Sequence, residues 1–267
     1  MSRMTASRSI LTTLTVALTV TLASGKAFSE ETPVDLELIL AADVSDSMDR
    51  TLGRLQRRGY AAALRSPGFS RAVASGAERR IALTYFEWGD SGRIEIIVPW
   101  TLIEQPSDAT AVASVLETRR VSRFAKTSIS HALQFGLRLF DDNGFSSARR
   151  VIDISGNGPN NQGNAIEPAR DAAVAAGVTI NGLPILLNLD QPRGPFATGF
   201  DRRNLDHYYA ECVIGGVGAF VQPVRDLEDF ARAIRRKLIT EVSGRPVVAL
   251  PVQFDPLAPW PPQSSAC

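Results

Sequence analysis

Residues 34–42 (VDLELILAA) make an apolar, partly β-branched run that stops on a carboxylate, Asp43. A run this short and this apolar suits a strand buried on both faces, the environment of a central parallel strand. Such a strand needs helices on both sides, which restricts the chain to a layered α/β architecture. The remaining sequence supplies them. From Leu52 the positions Leu52, Leu55, Gly59, Ala62 and Ala63 recur at helical spacing until Pro67-Gly68 ends the pattern. Residues 81–88 (IALTYFEW) predict a second strand and 93–99 (RIEIIVP) a third. Only Gly89-Asp90-Ser91-Gly92 separates them, so this pair is an antiparallel hairpin, because a parallel crossover needs a longer connection.

A helix is expected over 107–118. After Thr127 a second stripe follows, with Ile129, Ala132, Leu133, Gly136, Leu137 and Phe140 on one face. Strands at 150–155 (RVIDIS) and 178–185 (VTINGLPI) flank a helix over 165–176 that Gly177 ends. Residues 216–224 hold the last strand. Asp226 caps a final helix whose buried face is Leu227, Phe230, Ala231, Ile234 and Leu238. The expected fold is a doubly wound, mostly parallel sheet of six strands with one antiparallel edge strand and helices on both faces. The basic clusters Arg57-Arg58, Arg79-Arg80 and Arg235-Arg236-Lys237 are read as solvated helix faces and strand entries. A formal net charge of +1 argues against a nucleic-acid partner.

The ends differ from the middle. Arg3 and Arg8 precede an uncharged run over 9–25, and Ala27 and Ser29 are spaced like signal-peptidase recognition positions. Residues 1–29 are expected to be a cleaved signal peptide, with Gly25-Lys26 as a second cleavage point and an uncleaved anchor as the alternative. The protein is therefore expected in the periplasm or outside the cell, with no stable membrane insertion after cleavage. Residues 30–243 form the domain, and 244–267 a Pro-rich extended or disordered tail. Export permits a disulfide between Cys212 and Cys267, but their positions do not require one. The two histidines, His131 and His207, have no metal-ligand spacing with these cysteines. His131 reads as a hydrogen-bonded helix residue, and Trp88 and Trp100 as packing over the sheet edge. The proline- and glycine-containing segment 188–204 reads as a long loop that shapes a binding surface.

The chemistry concentrates at Asp43-Val44-Ser45-Asp46-Ser47, where the first strand ends. In an open α/β sheet, ligands bind at that edge. One carboxylate and two hydroxyls at alternate positions of an extended loop turn three oxygens inward, and oxygen-only ligation selects Mg²⁺, Mn²⁺ or Ca²⁺. The same five residues fit a turn that caps the following helix equally well.

Two further segments separate these readings. Lys126-Thr127-Ser128-Ile129 and Arg150-Val151-Ile152-Asp153-Ile154-Ser155-Gly156-Asn157-Gly158, together with Asp43-x-Ser45-x-Ser47, resemble the metal-ion-dependent adhesion site of von Willebrand factor type A domains. The chain is more similar still to a group of exported bacterial proteins of unknown function built on this domain, over about residues 34–241. The resemblance implies metal ligands at Asp43, Ser45, Ser47 and Thr127, with Asn157 at the position where the family usually has Asp. A neutral amide there implies weaker metal binding and a more electrophilic ion. Asp153 either compensates or is a strand residue paired with Arg149 or Arg150, the second being favoured. The function implied is a non-enzymatic, metal-dependent adhesion or assembly module that binds an acidic group of a protein partner. A metal-independent interaction domain with a degenerate site competes with it. A hydrolase using Ser45, Ser155 or a metal-bound water lacks a Gly-x-Ser-x-Gly elbow and a histidine with an evident partner.

Overall fold

The computed structural model describes residues 31–187, 202–244 and Cys267. The leader expected at 1–29 lies outside them, as do most of the loop expected at 188–204 and most of the tail expected at 244–267. In chain order the elements are β1 (Thr32–Pro33), β2 (Glu37–Asp43), α1 (Arg50–Leu64), α2 (Pro67–Ala74), β3 (Ile81–Trp88), β4 (Ile94–Ile103), α3 (Pro106–Thr118), α4 (Ile129–Leu139), β5 (Phe145–Ser146), β6 (Arg150–Gly156), α5 (Ile166–Ala175), β7 (Val178–Pro184), a short α6 (Leu205–Tyr208) continued by one π-helical turn (Tyr209–Val213), and α7 (Phe230–Ser243).

The main sheet has the order β4-β3-β2-β6-β7, parallel except for the β3–β4 pair at one edge. Strand β2 is central, as its unbroken apolar run requires, and every residue of it is buried. Its side chains divide by parity, because successive residues of a strand point to opposite faces. Leu38, Leu40 and Ala42 enter the core formed with α1, α2, α3 and α7, whereas Ile39 and Ala41 enter the core formed with α4, α5 and the 205–213 segment. Asp43 has the parity of the second set.

Among the described residues the main sheet holds five strands where six were expected. Residues 215–224 run beside the outer edge of β7 with isolated bridges at Gly215 and Val221 and a third at Val224 just beyond it, and form no continuous ladder. The reason lies in Gly216 and Gly218, whose φ angles of +93° and +70° turn the chain out of an extended ladder. The last helix also starts later than its cap was placed. The Asp226 side chain accepts from the Asp229 backbone N–H, which leaves Leu227 in a turn and 60 % exposed. Ala231 is exposed as well, and Ala233 takes its place in the core.

Two of the basic clusters contain a buried member. Arg57 on α1 is 2 % exposed and pairs with Glu87 of β3 at 2.6 Å. Lys237 on α7 is 1 % exposed and lies 2.6 Å from Asp153 and 2.5 Å from Glu241. Asp153 is thus a strand residue, as favoured, but its partner is Lys237 and not Arg149 or Arg150. Asn181 of β7 donates to Glu241 at 2.9 Å, and Arg149 donates to the Glu241 and Val242 carbonyls. These bonds fix the end of α7 over β6 and β7. His131, expected to be hydrogen-bonded, is partly buried, and its imidazole makes no hydrogen bond among the described residues. Trp88 is buried, and Trp100 donates to the Leu139 carbonyl at 2.8 Å, so both indoles pack against the domain.

Two carboxylates share one ammonium in this cluster, and burial with the nearby Asp153 charge raises Glu241 to about 7 from its ordinary 4.5, against the opposing pull of Lys237. The folded state therefore holds more protons than the unfolded chain over that window, so this group's stabilisation is complete below pH 4.5 and falls as pH rises through about 7. Thermal melting of Glu241→Gln against the natural sequence from pH 4 to 8 should show the variant gaining relative stability as pH rises. A difference independent of pH would contradict this assignment.

Candidate metal centre

Strand β2 is followed by a crossover to β3 on one side, and β6 by a crossover to β7 on the other. The loops after the two neighbouring strands therefore diverge, opening a crevice at the switch point of the sheet. Asp43 ends β2 and Asn157 directly follows β6, so the sheet order alone brings these distant positions together. The third segment closes on the same edge. Phe124 bridges to Ser45, with its N–H on the Val44 carbonyl at 3.1 Å, and the Ser128 N–H reaches the Gly89 carbonyl at 2.7 Å. Thr127, between them, exchanges bonds with Asn161: its N–H donates to the Asn161 side chain and its carbonyl accepts from the Asn161 N–H, both at 2.9 Å.

Within this frame the Asp43 carboxylate is fully buried. Oδ1 accepts from the Ser45 backbone N–H at 2.7 Å, and Oδ2, also buried, accepts no hydrogen bond. The Ser45 and Ser47 hydroxyls are 3.1 Å apart. Ser47 donates its hydroxyl to Asn157 Oδ1 at 2.6 Å, and Asn157 Nδ2 donates back to the Ser47 carbonyl at 2.7 Å. Gln56 of α1 donates to the Asp43 carbonyl at 3.3 Å, and its own Oε1 accepts from Ser155 at 3.4 Å, so α1 ties both strand ends together. Burial raises the Asp43 carboxyl to about 6, while the nearby Ser45 groups and Asn157 backbone N–H pull it back. Asp46, at the intervening position, faces outward and pairs with Arg123 at 2.9 Å.

An unpaired buried carboxylate oxygen is costly unless something compensates its charge. A cation would do so here, and the surrounding oxygens are of the hard, neutral kind such an ion accepts. Among the described residues no group of three or more His, Cys, Asp or Glu is placed to share a metal ion. The candidate set is one carboxylate with hydroxyl and amide oxygens, and the donor chemistry fits Mg²⁺, Mn²⁺ or Ca²⁺.

Two residues missed from sequence complete the floor. A Cβ on Gly156 would stand 2.7 Å from the Tyr209 hydroxyl and 3.0 Å from Asp43 Oδ2. Glycine is thus what lets both oxygens approach the end of β6, and the Tyr209 hydroxyl is itself buried without a hydrogen bond. The glycine-rich look of residues 156–158 was a visible signal for Gly156. Nothing local marked Tyr209, which the π-helical turn delivers from about fifty residues further along the chain. Cys212 in the same turn is disulfide-bonded to Cys267, with Cα atoms 5.5 Å apart.

Comparison with known proteins agrees with this architecture. The family model described as a protein of unknown function (DUF1194) matches residues 33–246. No curated protein matches. Among solved structures, the pilus adhesin SpaC from Lactobacillus rhamnosus GG is similar at 11 % identity and a TM-score of 0.57, over 79 % of this chain and 31 % of its own. A von Willebrand factor type A protein from Catenulispora acidiphila is similar at 17 % identity and 0.53, over 78 % and 43 %. The PilB minor pilin from Streptococcus sanguinis is similar at 9 % and 0.57, over 79 % and 62 %. The chain thus spans less than two thirds of each of these structures, and at such identities the likeness is one of fold. That fold is the von Willebrand factor type A fold.

Replacing Gly156 by Ala should destabilise the protein by about 1–3 kcal/mol, because the new methyl meets two buried oxygens. Removing the hydroxyl with Tyr209→Phe should recover part of that loss, giving a coupling of at least about 0.5 kcal/mol in a urea-denaturation double-mutant cycle. Strict additivity would show that the two groups do not meet.

Proposed function

The chain belongs to the DUF1194 family of proteins of unknown function, and from that premise we propose a function read from its own site: an exported, divalent-metal-dependent protein-binding module used in adhesion or assembly. The observation that carries the proposal is the buried, unpaired Asp43 Oδ2 beside two serine hydroxyls at the sheet's switch point. Asp43, Ser45, Ser47 and Thr127 would hold Mg²⁺, or Mn²⁺ or Ca²⁺, with Asn157 coordinating directly or through water. The bound ion supplies a positive centre with a position open to an acidic side chain of a partner. No reaction is part of this role. Asn157 adds no charge, which leaves the ion's attraction for that carboxylate less diminished.

Export is supported by the composition of residues 1–29 and by the Cys212–Cys267 disulfide, a bond that persists in oxidising compartments. Two similar structures, a pilus adhesin and a minor pilin, accord with a surface or periplasmic role. No helix among the described residues is long and apolar enough to cross a membrane.

A second reading rests on one specific observation. Asn157 grips Ser47 through both ends of its amide, a closed pair that orders the loop without an ion. On that reading the same surface binds a partner without metal. The two readings differ in a melting experiment, since an ion that binds only the folded state raises its stability by mass action. At 100 times the dissociation constant the gain is about 2.7 kcal/mol, or roughly 5–10 °C for a domain of this size. The expected result is a rise with Mg²⁺, Mn²⁺ or Ca²⁺ over EDTA that Asp43→Ala abolishes. Asn157→Asp should lower the midpoint in EDTA, where it loses the amide bond to Ser47, and enlarge the metal-dependent rise. No rise with the natural sequence, at millimolar concentrations of each ion, would sink the metal-dependent reading in favour of the second.

A further inference from the structure

Away from the candidate metal centre, α1 and the end of α3 enclose a cavity of about 640 Å³ whose walls carry six arginines: Arg50, Arg54, Arg57, Arg58, Arg119 and Arg120. A chain with a formal net charge of +1 has acids enough to pair them, so this concentration comes from the arrangement and not from composition. The six do different things. Arg57 builds the cavity: buried against Glu87, it also donates to the carbonyls of Leu116, Arg119 and Arg120, which holds the end of α3 in place. Arg119 lies 3.6 Å from Glu95, both about half exposed. Glu117, the acid on the rim, is engaged by Arg65 at 2.7 Å and feels Arg58 more weakly. Arg50, Arg54 and Arg120 are exposed and have no carboxylate partner among the described residues.

Three of these arginines, Arg50, Arg54 and Arg58, repeat every fourth residue along α1, so they stand one above another on one helix face. Like charges at that spacing repel and weaken a helix. An anion lying along the stripe would reverse that cost. Guanidinium groups favour planar, bidentate acceptors such as carboxylates. Four helical residues rise about 6 Å, and alternate residues of an extended peptide are about 6.6 Å apart. Three carboxylates at alternate positions would span about 13 Å, against about 12 Å from Arg50 to Arg58. The concave wall disfavours a flat lipid surface. Among the described lining residues none is aromatic, so the stacking platform on which single-stranded nucleic acid relies is missing.

We propose that the groove between α1 and the end of α3 is a second binding site, which takes an extended acidic peptide segment with carboxylates at alternate residues. It does not depend on a metal ion. Its position gives it a relation to the candidate centre nonetheless, since α1 begins three residues after Ser47 and the groove residue Val121 precedes Thr127 by six. One acidic partner chain could engage both.

The test uses a fluorescein-labelled peptide alternating Glu and Ser, titrated with the full chain at low ionic strength in EDTA and followed by fluorescence anisotropy. Binding should be saturable, equal within twofold when EDTA is replaced by Mg²⁺ in the Asp43→Ala protein, and weakened at least tenfold by Arg50→Ser/Arg54→Ser/Arg58→Ser. The single variant Arg54→Gln, which keeps a helix-forming side chain, should weaken it severalfold without altering the circular dichroism. A peptide of the same composition with its acids in one block should bind more weakly, as should a single-stranded oligonucleotide of equal charge. Equal affinity of the natural and triple-serine proteins would overturn the proposal. So would equal affinity for the blocked peptide or the oligonucleotide, or binding that vanishes in EDTA. Failure of the metal-dependent reading leaves this titration unchanged, so the two claims fail separately.

Discussion

A carboxylate oxygen buried without a partner, Asp43 Oδ2, is the constraint around which the edge of this sheet is organised. Each neighbouring element makes room for it or holds it in place. Gly156 removes a side chain that would collide with it, the Ser45 N–H fixes the other oxygen, and Gln56 holds the backbone from α1. The sheet order β4-β3-β2-β6-β7 supplies the crevice, because the crossovers after β2 and β6 leave in opposite directions. Such a group costs stability in isolation, a cost that a bound cation would offset.

The deeper polar residues serve a different end. Lys237, Asp153, Glu241 and Asn181 form a buried network that positions α7 on the two strands leading toward the site. Arg57 and Glu87 do the same for α1 and α3. Buried ion pairs are weak evidence for net stability, since desolvation consumes much of their attraction. Their geometry is demanding, however, and two of these pairs, Arg57–Glu87 and Lys237–Asp153, each join a helix to a strand. Apolar contacts would tolerate sliding at those interfaces, whereas an ammonium between two carboxylates tolerates little.

Much of this was legible in the chain because the informative signals are local. The 34–42 run identifies a central strand by its apolarity, the short 89–92 turn implies the antiparallel hairpin, and Asp43-x-Ser45-x-Ser47 sits where a β-strand must release its loop. Thr127 and Asn157 entered through resemblance alone, and the fold brings both segments to the edge where β2 ends. The illegible parts are tertiary. Arg57 and Lys237 look like members of solvated basic clusters until their acids, Glu87 and Asp153, arrive from other strands. Residues 216–224 have strand composition, but two positive-φ glycines decide otherwise. The disulfide joins residues 55 apart, a pairing that spacing alone does not determine. The arginine groove needs both α1 and α3 in place, and neither sequence segment announces it.

Because the account turns on a cation beside Asp43, the most direct measurement is an anomalous difference map from crystals of the domain soaked in Mn²⁺. The account predicts one peak at the β2–β6 crevice, about 2.0–2.6 Å from an Asp43 carboxylate oxygen and the Ser45 and Ser47 hydroxyls. A map with no peak there at millimolar Mn²⁺, with the Ser47–Asn157 pair intact, would contradict it.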